Sequence, residues 1–131
     1  MIGESRTSAT LQRALDGVWQ RQKAIANNIA NYETPGYKAM KVAFEDSLHR
    51  EISKSNRAGT QNQYRSIHQI RNAAIQVEAD ESTAERLDGN NVNLEIENIE
   101  MAKSQLQYQY LTRGMSDMFS RLRYAISEGK K

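Results

Sequence analysis

The sequence contains no cysteine, and its 131 residues include a single proline, Pro35. The lack of cysteine excludes disulfides, thiolate metal ligands and cysteine nucleophiles. Only two histidines are present, His49 and His68, and neither has a second histidine at a metal-ligand spacing such as four residues. The glycines are scattered and form no phosphate-binding pattern. The sequence therefore predicts no catalytic residue, no metal site and no cofactor.

Apolar residues are scarce, at 38% of the chain, and aromatic residues make up only 7%. No apolar run is long enough to predict a cleaved signal peptide or a membrane span. Such a composition leaves the core of a single domain of this length underfilled. We expect either that part of the chain is disordered or that neighbouring molecules bury part of its apolar surface.

No strong excess of either charge is present, since the net charge is +2. The distribution is nevertheless uneven: residues 1–41 carry six basic and three acidic side chains, residues 42–112 carry seven and eleven, and residues 113–131 carry five and two. This balance is too weak for a surface that follows nucleic-acid phosphates, so we expect no nucleic-acid partner. Basic ends around an acidic middle favour contacts between like subunits, end to middle.

A regular apolar pattern begins near the N-terminus and predicts a helix over residues 8–31. Its apolar positions recur at spacings of three, four and seven: Leu11, Leu15, Val18, Ile25 and Ile29. This is the stripe of an amphipathic or coiled-coil helix. Thr7 or Ser8 is the expected N-cap.

A second, longer pattern predicts a helix over residues 94–127. Its stripe of alternating three- and four-residue steps includes Met101, Tyr108, Leu111, Met115, Met118 and Leu122. Asn93 is the expected N-cap, and Glu95 and Glu97 suit the positive end of the helix dipole. We predict a mainly α fold in which the two long helices pack antiparallel as a coiled-coil-like pair. Since two helices cannot cover every side of the second one, we expect part of its apolar surface to be intermolecular.

The first helix runs into the turn Thr34-Pro35-Gly36-Tyr37. Proline presets the dihedral angle of the first central position of a type II turn, and glycine supplies the positive φ of the second. We predict a turn and extended segment over residues 32–48, whose apolar side chains lie back along the helix. Asn27, Asn28 and Asn31 crowd the last helical turns. They either cap a fraying end or bond to packed neighbours, within the subunit or across an interface.

Between the two halves, residues 49–93 read as a variable connector that is extended, partly flexible or β-containing. The pattern around residues 70–77 fits a short strand or a short helix equally well. Leu87-Asp88-Gly89-Asn90 is a turn signal. We treat the whole chain as one domain.

Two stretches together resemble the axial proteins of the bacterial flagellar rod and hook. The N-terminal one carries A-x-N-I-A-N, two variable residues and T-P-G-Y, supplied by Ala26, Asn28, Ile29, Ala30, Asn31, Thr34, Pro35, Gly36 and Tyr37. The later one opens with L-D-G-N-x-V, supplied by Leu87, Asp88, Gly89, Asn90 and Val92. The first motif is shared by rod and hook proteins generally. The second, with the short chain, narrows the resemblance to a proximal rod subunit.

The resemblance implies a non-enzymatic structural subunit that assembles helically into the rod and transmits torque for motility. The implied partners are copies of itself, other rod proteins, the rod-base adaptor and membrane ring proteins, and the flagellar type III export apparatus. It also implies export without a cleaved signal peptide and a place in the periplasmic part of the basal body. Asn27 and the motif residues from Asn28 to Tyr37 would then form the assembly motif. The alternative is a stand-alone helical adaptor or regulator that binds one partner helix.

Overall fold

The computed structural model describes residues 5–59, 62–82 and 86–128. Within these ranges the chain forms four helices and two short strands. In chain order they are α1 (Arg6–Ala30), β1 (Met40–Ala43), α2 (Glu45–Ala58), α3 (Gln63–Arg71), β2 (Gln76–Ala79) and α4 (Leu94–Glu128). The prediction of a mainly helical fold with long first and last helices is confirmed.

The first helix, α1, begins two residues earlier than its apolar pattern suggests. Ser5 is extended, and its side chain accepts a hydrogen bond from the Ser8 N–H at 3.1 Å. This satisfies one of the free N–H groups at the start of the helix. The expected cap at Thr7 or Ser8 was therefore wrong, since both residues lie inside the helix.

The long helices α1 and α4 run antiparallel. Asn28, near the end of α1, hydrogen-bonds Glu97 at the start of α4. Arg21 reaches Gln107 at 3.3 Å. Closer to the start of α1, Leu11 lies beside Gly114 of α4. The predicted antiparallel arrangement of the first and last helices thus follows from the order of these contacts.

The residues predicted to pack the two helices are covered to different degrees. Val18 and Ile25 are buried, and Tyr108 is 45% exposed. The others are half-buried: Leu11, Leu15, Met101, Leu111, Met115, Met118 and Leu122. Only Glu97 and Ser104 are buried on α4. The helix pair alone therefore leaves much of the α4 surface uncovered.

The connector folds back onto α1 and completes the core. Phe44, just before α2, lies so close to Gly17 of α1 that no Cβ would fit between them. The core consists of Ala9, Ala14, Val18, Ala24, Val42, Phe44, Leu48, Ile67, Ile70 and Ala73. The expectation that the apolar residues after the turn lie back along the first helix agrees with the burial of Ala39, Val42, Phe44 and Leu48.

The connector holds more helix than its composition suggests. α2 buries Leu48 on one face, and α3 buries Ile67 and Ile70, which are three residues apart. The ambiguous stretch around residues 70–77 proves to be both kinds of structure, the end of α3 and the start of β2. β1 and β2 pair antiparallel, with Met40 opposite Ala79 and Ala43 opposite Gln76.

Arg21 ties four of these elements together from its place on α1. Its guanidinium donates to the Val42 carbonyl at 2.7 Å and to the Glu45 carboxylate at 2.9 Å, and it lies 4.9 Å from the centre of the Phe44 ring. The hydrogen bond from Arg21 to the Glu45 carboxylate lowers the pKa of Glu45. Because the fork also contacts Gln107 on α4, one side chain fixes α1 relative to β1, α2 and α4.

Candidate functional site

The turn after α1 has the geometry that its sequence predicts. The Tyr37 N–H donates to the Thr34 carbonyl at 3.2 Å, and Gly36 has a φ of 74°. A hydrogen bond across the turn with positive φ at the third residue is the pattern of a type II turn. Thr34, Pro35 and Gly36 are exposed. The turn is thus rigid and presented on the surface.

Asn28 is the buried centre of the helix end, with 1% of its surface exposed. Its side-chain oxygen accepts from the Tyr37 hydroxyl at 2.9 Å and from the Met40 N–H at 2.8 Å. Its amide group donates to the Met40 carbonyl at 2.9 Å. With the bond to Glu97, this one side chain joins α1, the turn, β1 and α4. A satisfied buried amide of this kind fixes a unique packing arrangement.

The two other asparagines of the motif also bond within the chain. Asn27 donates to the Tyr37 hydroxyl at 2.9 Å. Asn31 donates to the Asn27 carbonyl at 2.8 Å, and its side-chain oxygen accepts from the Thr34 hydroxyl at 3.0 Å. Together these bonds tie the last turn of α1 to the turn that follows. The sequence left open whether these asparagines bond within the subunit or across an interface. In the structure of the single chain they bond within the subunit.

Asn90 supplies the second buried amide, and it is fully buried. Its amide nitrogen lies within 3.0 Å of the carbonyl oxygens of Asn31, Tyr32 and Thr34. The last carbonyls of a helix have no partner inside the helix, and side chains are one of the means of satisfying them. The Asn90 oxygen accepts from the Val92 N–H at 2.8 Å, which holds the side chain in place.

The turn around Gly89 docks directly onto the turn around Gly36. The Gly36 N–H donates to the Asp88 carbonyl at 2.8 Å, and Lys38 donates to the Gly89 carbonyl at 2.8 Å. Gly89 has a φ of 82°, and a Cβ on it would stand 3.6 Å from the Gly36 Cα. Both glycines therefore serve the left-handed backbone conformation and the close approach. We call this interlocked unit, residues 27–40 with 86–92, the joint.

Asn91 and Arg86 extend the joint to the strand pair and to the surface. Asn91 accepts from the Ala39 N–H at 2.7 Å and donates to the Asp80 carbonyl at 2.7 Å. The guanidinium of Arg86 stacks 4.3 Å from the centre of the Tyr32 ring and donates to the Tyr32 carbonyl. Sequence reasoning did not assign roles to these two residues. The doubled asparagine after the L-D-G turn was the only available signal.

Two carboxylates near the joint differ in their surroundings. One belongs to an exposed ion pair, and the other is buried. Lys41, at 3.0 Å, and the Ser82 N–H hold the pKa of Asp80 at about 2. Burial raises the pKa of Glu97 above its usual value, and the Asn28 hydrogen bond opposes the rise. The carboxylate of Glu100 adds to the rise and Lys41 counters it. Glu97, in α4 beside the joint, is therefore an acid that folding makes harder to ionise.

The hydrogen bonds of the joint stabilise one conformation of the chain. In residues 5–59, 62–82 and 86–128, no three His, Cys, Asp or Glu side chains stand close enough to hold a metal ion. Over the same ranges, no helix is long and apolar enough to cross a membrane. Leu87, at the tip of the joint, is fully exposed.

Residues 5–38, which span α1 and the turn, match the family model described as "Flagella basal body rod protein". Over 127 residues the chain is 35% identical to the flagellar basal body rod protein FlgB of Bacillus subtilis, covering 96% of this chain and 97% of that protein. The chain belongs to the FlgB family. FlgB of Escherichia coli is 27% identical over 90% of this chain and 91% of its own, and FlgB of Salmonella typhimurium is 32% identical over 75% and 76%.

Membership of the FlgB family identifies the chain as a structural subunit of the flagellar basal body rod. It therefore assembles with other rod proteins. The FlgB of Bacillus subtilis aligns over 96% of this chain, so the connector helices α2 and α3 belong to that region of similarity as much as the joint does. These findings favour the rod subunit over the stand-alone helical adaptor.

Proposed function

We propose that this rod subunit assembles helically with copies of itself and with other rod proteins, and that it transmits torque through the joint. The observation that carries the proposal is the pair of buried amides: Asn28 bonds the end of α1 to β1, and Asn90, in the turn that precedes α4, bonds the carbonyl of Asn31 at the end of α1. A torque-bearing subunit needs its helices and connector held in one fixed relation. Buried amides with satisfied hydrogen bonds supply such rigidity.

The joint also sets the direction in which the connector leaves the helix pair. Because Pro35 and Gly36 restrict the turn, and Asp88 and Gly89 hold it from the other side, β1 leaves at a fixed angle. Asn27, Asn28, Ile29, Asn31 and the Thr34-Pro35-Gly36-Tyr37 turn form the assembly motif in this proposal. The stripes of α1 and α4 supply the packing, and exposed stripe residues such as Tyr108 become buried on assembly.

The same proposal includes the partners of the rod subunit, its export and its location. The partners include the rod-base adaptor, the membrane ring proteins and the flagellar type III export apparatus. The chain is exported without a cleaved signal peptide, acts in the periplasm, and carries no enzymatic activity. An underfilled core and helices that need neighbours suit a chain that passes through a channel unfolded and folds on assembly.

A strain lacking this protein tests the proposal most directly. Basal bodies isolated from it should lack an intact rod in electron micrographs, and the intact gene should restore both rod and swimming. An intact rod in the deletion strain would defeat the proposal.

The joint has its own test in the double variant Pro35→Ala, Gly36→Ala. We expect normal export with impaired rod assembly and swimming, because alanine does not fix the φ that proline presets and disfavours the positive φ that glycine supplies. The matched control is Gly59→Ala, which changes an exposed glycine of positive φ outside the joint. Swimming of the double variant at the control's level would show that the turn is dispensable.

A further inference from the structure

The two-stranded sheet has one occupied edge and one open edge. On the outer edge of β1, Asn28 bonds both the N–H and the carbonyl of Met40, and Arg21 bonds the carbonyl of Val42. β2 has β1 on one side only, and all four of its residues, Gln76–Ala79, are exposed. The open edge of the sheet therefore belongs to β2.

The strand register shows which backbone groups of β2 point away from β1. The Asp80 N–H donates to the Ala39 carbonyl at 2.7 Å, so the backbone groups of these two residues face each other. In an antiparallel pair, such residues alternate with residues whose N–H and carbonyl groups point outward. On β2 the outward residues are Val77 and Ala79, which stand opposite the outward residues of β1. Among the described residues, none hydrogen-bonds to these outward groups of β2.

The middle of β2 carries a carboxylate, Glu78, whose charge is not paired. Lys41 stands opposite Glu78 in the register of the sheet, but its ammonium group pairs with Asp80 at 3.0 Å. In the part of the chain that the structure describes, no ion pair involves Glu78. Opposite charges that face each other across strands stabilise a sheet, and like charges destabilise it. The charge of Glu78 therefore favours a basic side chain opposite it on an added strand.

The other face of β2 favours apolar neighbours. Side chains alternate between the two faces of a strand, so Val77 and Ala79 lie on the face opposite to Glu78. Val77 stands next to the buried Val42 of β1 but is itself 47% exposed. An added strand would cover Val77 with a side chain of its own. The edge thus selects an extended segment in which a basic residue lies between two apolar ones.

A second copy of this chain does not offer such a segment in either of its strands. β1 has the pattern, as Met40, Lys41 and Val42, but β2 occupies one of its edges and the side chains of α1 occupy the other. β2 contains no basic residue, and two β2 strands paired with Glu78 opposite Glu78 would place like charges together. The occupant is therefore a segment of a different protein. This chain assembles with other rod proteins, which supply the candidates.

We propose that the open edge of β2 binds an extended segment of another rod protein, with a Lys or Arg side chain opposite Glu78 and apolar side chains opposite Val77 and Ala79. The inference deepens the proposed function and rests on assembly into the rod. In this mode of recognition, main-chain hydrogen bonds give affinity and alternate side chains give specificity. The added strand also enlarges a sheet whose two strands are marginally stable by themselves.

Photocrosslinking in isolated basal bodies identifies the occupant. Gln76 is exposed and lies on the same face as Glu78, so its replacement by the photoreactive residue benzoylphenylalanine leaves the charge of Glu78 in place. We expect cross-links to one peptide of another rod protein, with a basic residue between two apolar ones. The control carries benzoylphenylalanine at Tyr64, which is 84% exposed on α3. Cross-links from Gln76 to a second copy of this chain, or to the same peptides as from Tyr64, would overturn the proposal.

Two further variants, each combined with the reporter at Gln76, separate strand pairing from simple proximity. Val77→Pro removes an outward N–H, and proline is tolerated where a strand N–H faces solvent. Ala74→Pro, at an exposed position before β2, is its control. Glu78→Lys reverses the charge that faces the partner, and Glu81→Lys makes the same change at an exposed position outside the strand. We expect loss of the cross-link in Val77→Pro and Glu78→Lys and the native yield in both controls.

The outcomes distinguish the strand contact from the rod function. The substituted positions are exposed, so circular dichroism of the purified variants should match the native chain. A native yield of the cross-link in Val77→Pro or in Glu78→Lys would overturn the proposal. Glutamate in place of the partner's basic residue should restore the cross-link to Glu78→Lys. Normal swimming without the cross-link removes the strand contact and leaves the rod function standing, whereas an intact rod in the deletion strain removes the rod function itself.

Discussion

At the scale of single residues, two asparagines and one glutamate decide the structure of the joint. Asn28 and Asn90 are almost inaccessible to solvent, and most of their hydrogen bonds go to backbone groups of the turn and of β1. Glu97 lies beside Asn28 in the first turns of α4. A buried polar group stabilises a fold only while its partners are in place, so each of these residues makes a sharp mutational test.

Asn90→Ala should destabilise the protein strongly. It removes a donor shared by the carbonyls of Asn31, Tyr32 and Thr34, each of which keeps one other donor, and it takes from the buried Val92 N–H its acceptor; an unpaired buried group costs about 1–3 kcal/mol. We expect a loss of about 3 kcal/mol in the free energy of unfolding, measured by urea denaturation followed by circular dichroism. Asn98→Ala, at an exposed position on α4, is the control and should be nearly neutral. Equal stability of the two variants would show that water replaces the Asn90 amide.

Glu97→Gln should change how stability depends on pH. The raised pKa of Glu97 means that the folded state holds this proton more tightly than the unfolded state. The resulting stabilisation is complete below the unfolded-state pKa and is lost as pH rises through the folded-state pKa. Glutamine stays neutral and keeps the hydrogen-bonding shape.

Urea denaturation between about pH 4 and pH 8 measures this effect. The variant should be more stable than the native chain at the upper end of this range, and the difference should shrink as pH falls. Glu95→Gln alters an exposed carboxylate in the same turn and serves as control. Parallel pH profiles for native chain and Glu97→Gln would contradict the prediction.

At the scale of elements, close packing between α1 and its neighbours depends on two glycines with different surroundings. A Cβ on Gly17 would overlap the Phe44 ring, whereas one on Gly114 would meet Leu11 at 3.6 Å, an ordinary contact. Both lie inside helices, where alanine is favoured over glycine by about 1 kcal/mol. The helix propensity therefore favours alanine equally at the two sites. Only the side chain that an added Cβ would meet differs.

We expect Gly17→Ala to destabilise the protein by about 1–3 kcal/mol, because the ring and α2 must shift. Gly114→Ala, the matched control, should stabilise it by up to about 1 kcal/mol. Thermal and urea unfolding of both variants measure the difference. A stabilising Gly17→Ala would mean that Phe44 moves aside without cost.

The long helices are readable from the sequence, and the short ones are not. In α1 and α4 the apolar period continues for many turns, so single residues that depart from it do not obscure the helical pattern. α3 offers only Ile67 and Ile70 as a buried pair, too short a pattern to separate helix from strand. The T-P-G-Y turn was predictable because its dihedral requirements are local. The bonds from Asn90 to Asn31 and Thr34 were not, since nothing in the sequence states which carbonyls a distant amide will meet.

At the scale of the whole molecule, coverage is uneven from one end of the helix pair to the other. The joint end is tied by Asn28, Asn90 and the interlocked turns. At the opposite end, the last residues of α4 extend past Arg6, where α1 begins. Helix stability in proteins comes mainly from tertiary packing, so the last turn of α4, where residues 123–128 are exposed, should open locally in the single chain.

Hydrogen exchange followed by mass spectrometry should resolve this gradient. In dilute solution we expect rapid exchange of the backbone amides of residues 122–128, and slow exchange in the part of α1 that contains Val18 and Ile25, because only the latter is buried by packing. In assembled rods the same C-terminal amides should become protected, since neighbouring rod proteins would pack against the exposed side chains of this helix end. α3, with its exposed outer face, provides an internal control. Slow exchange of residues 122–128 in the dilute protein would mean that the single chain already stabilises its own helix end, and assembly would then have nothing to order there.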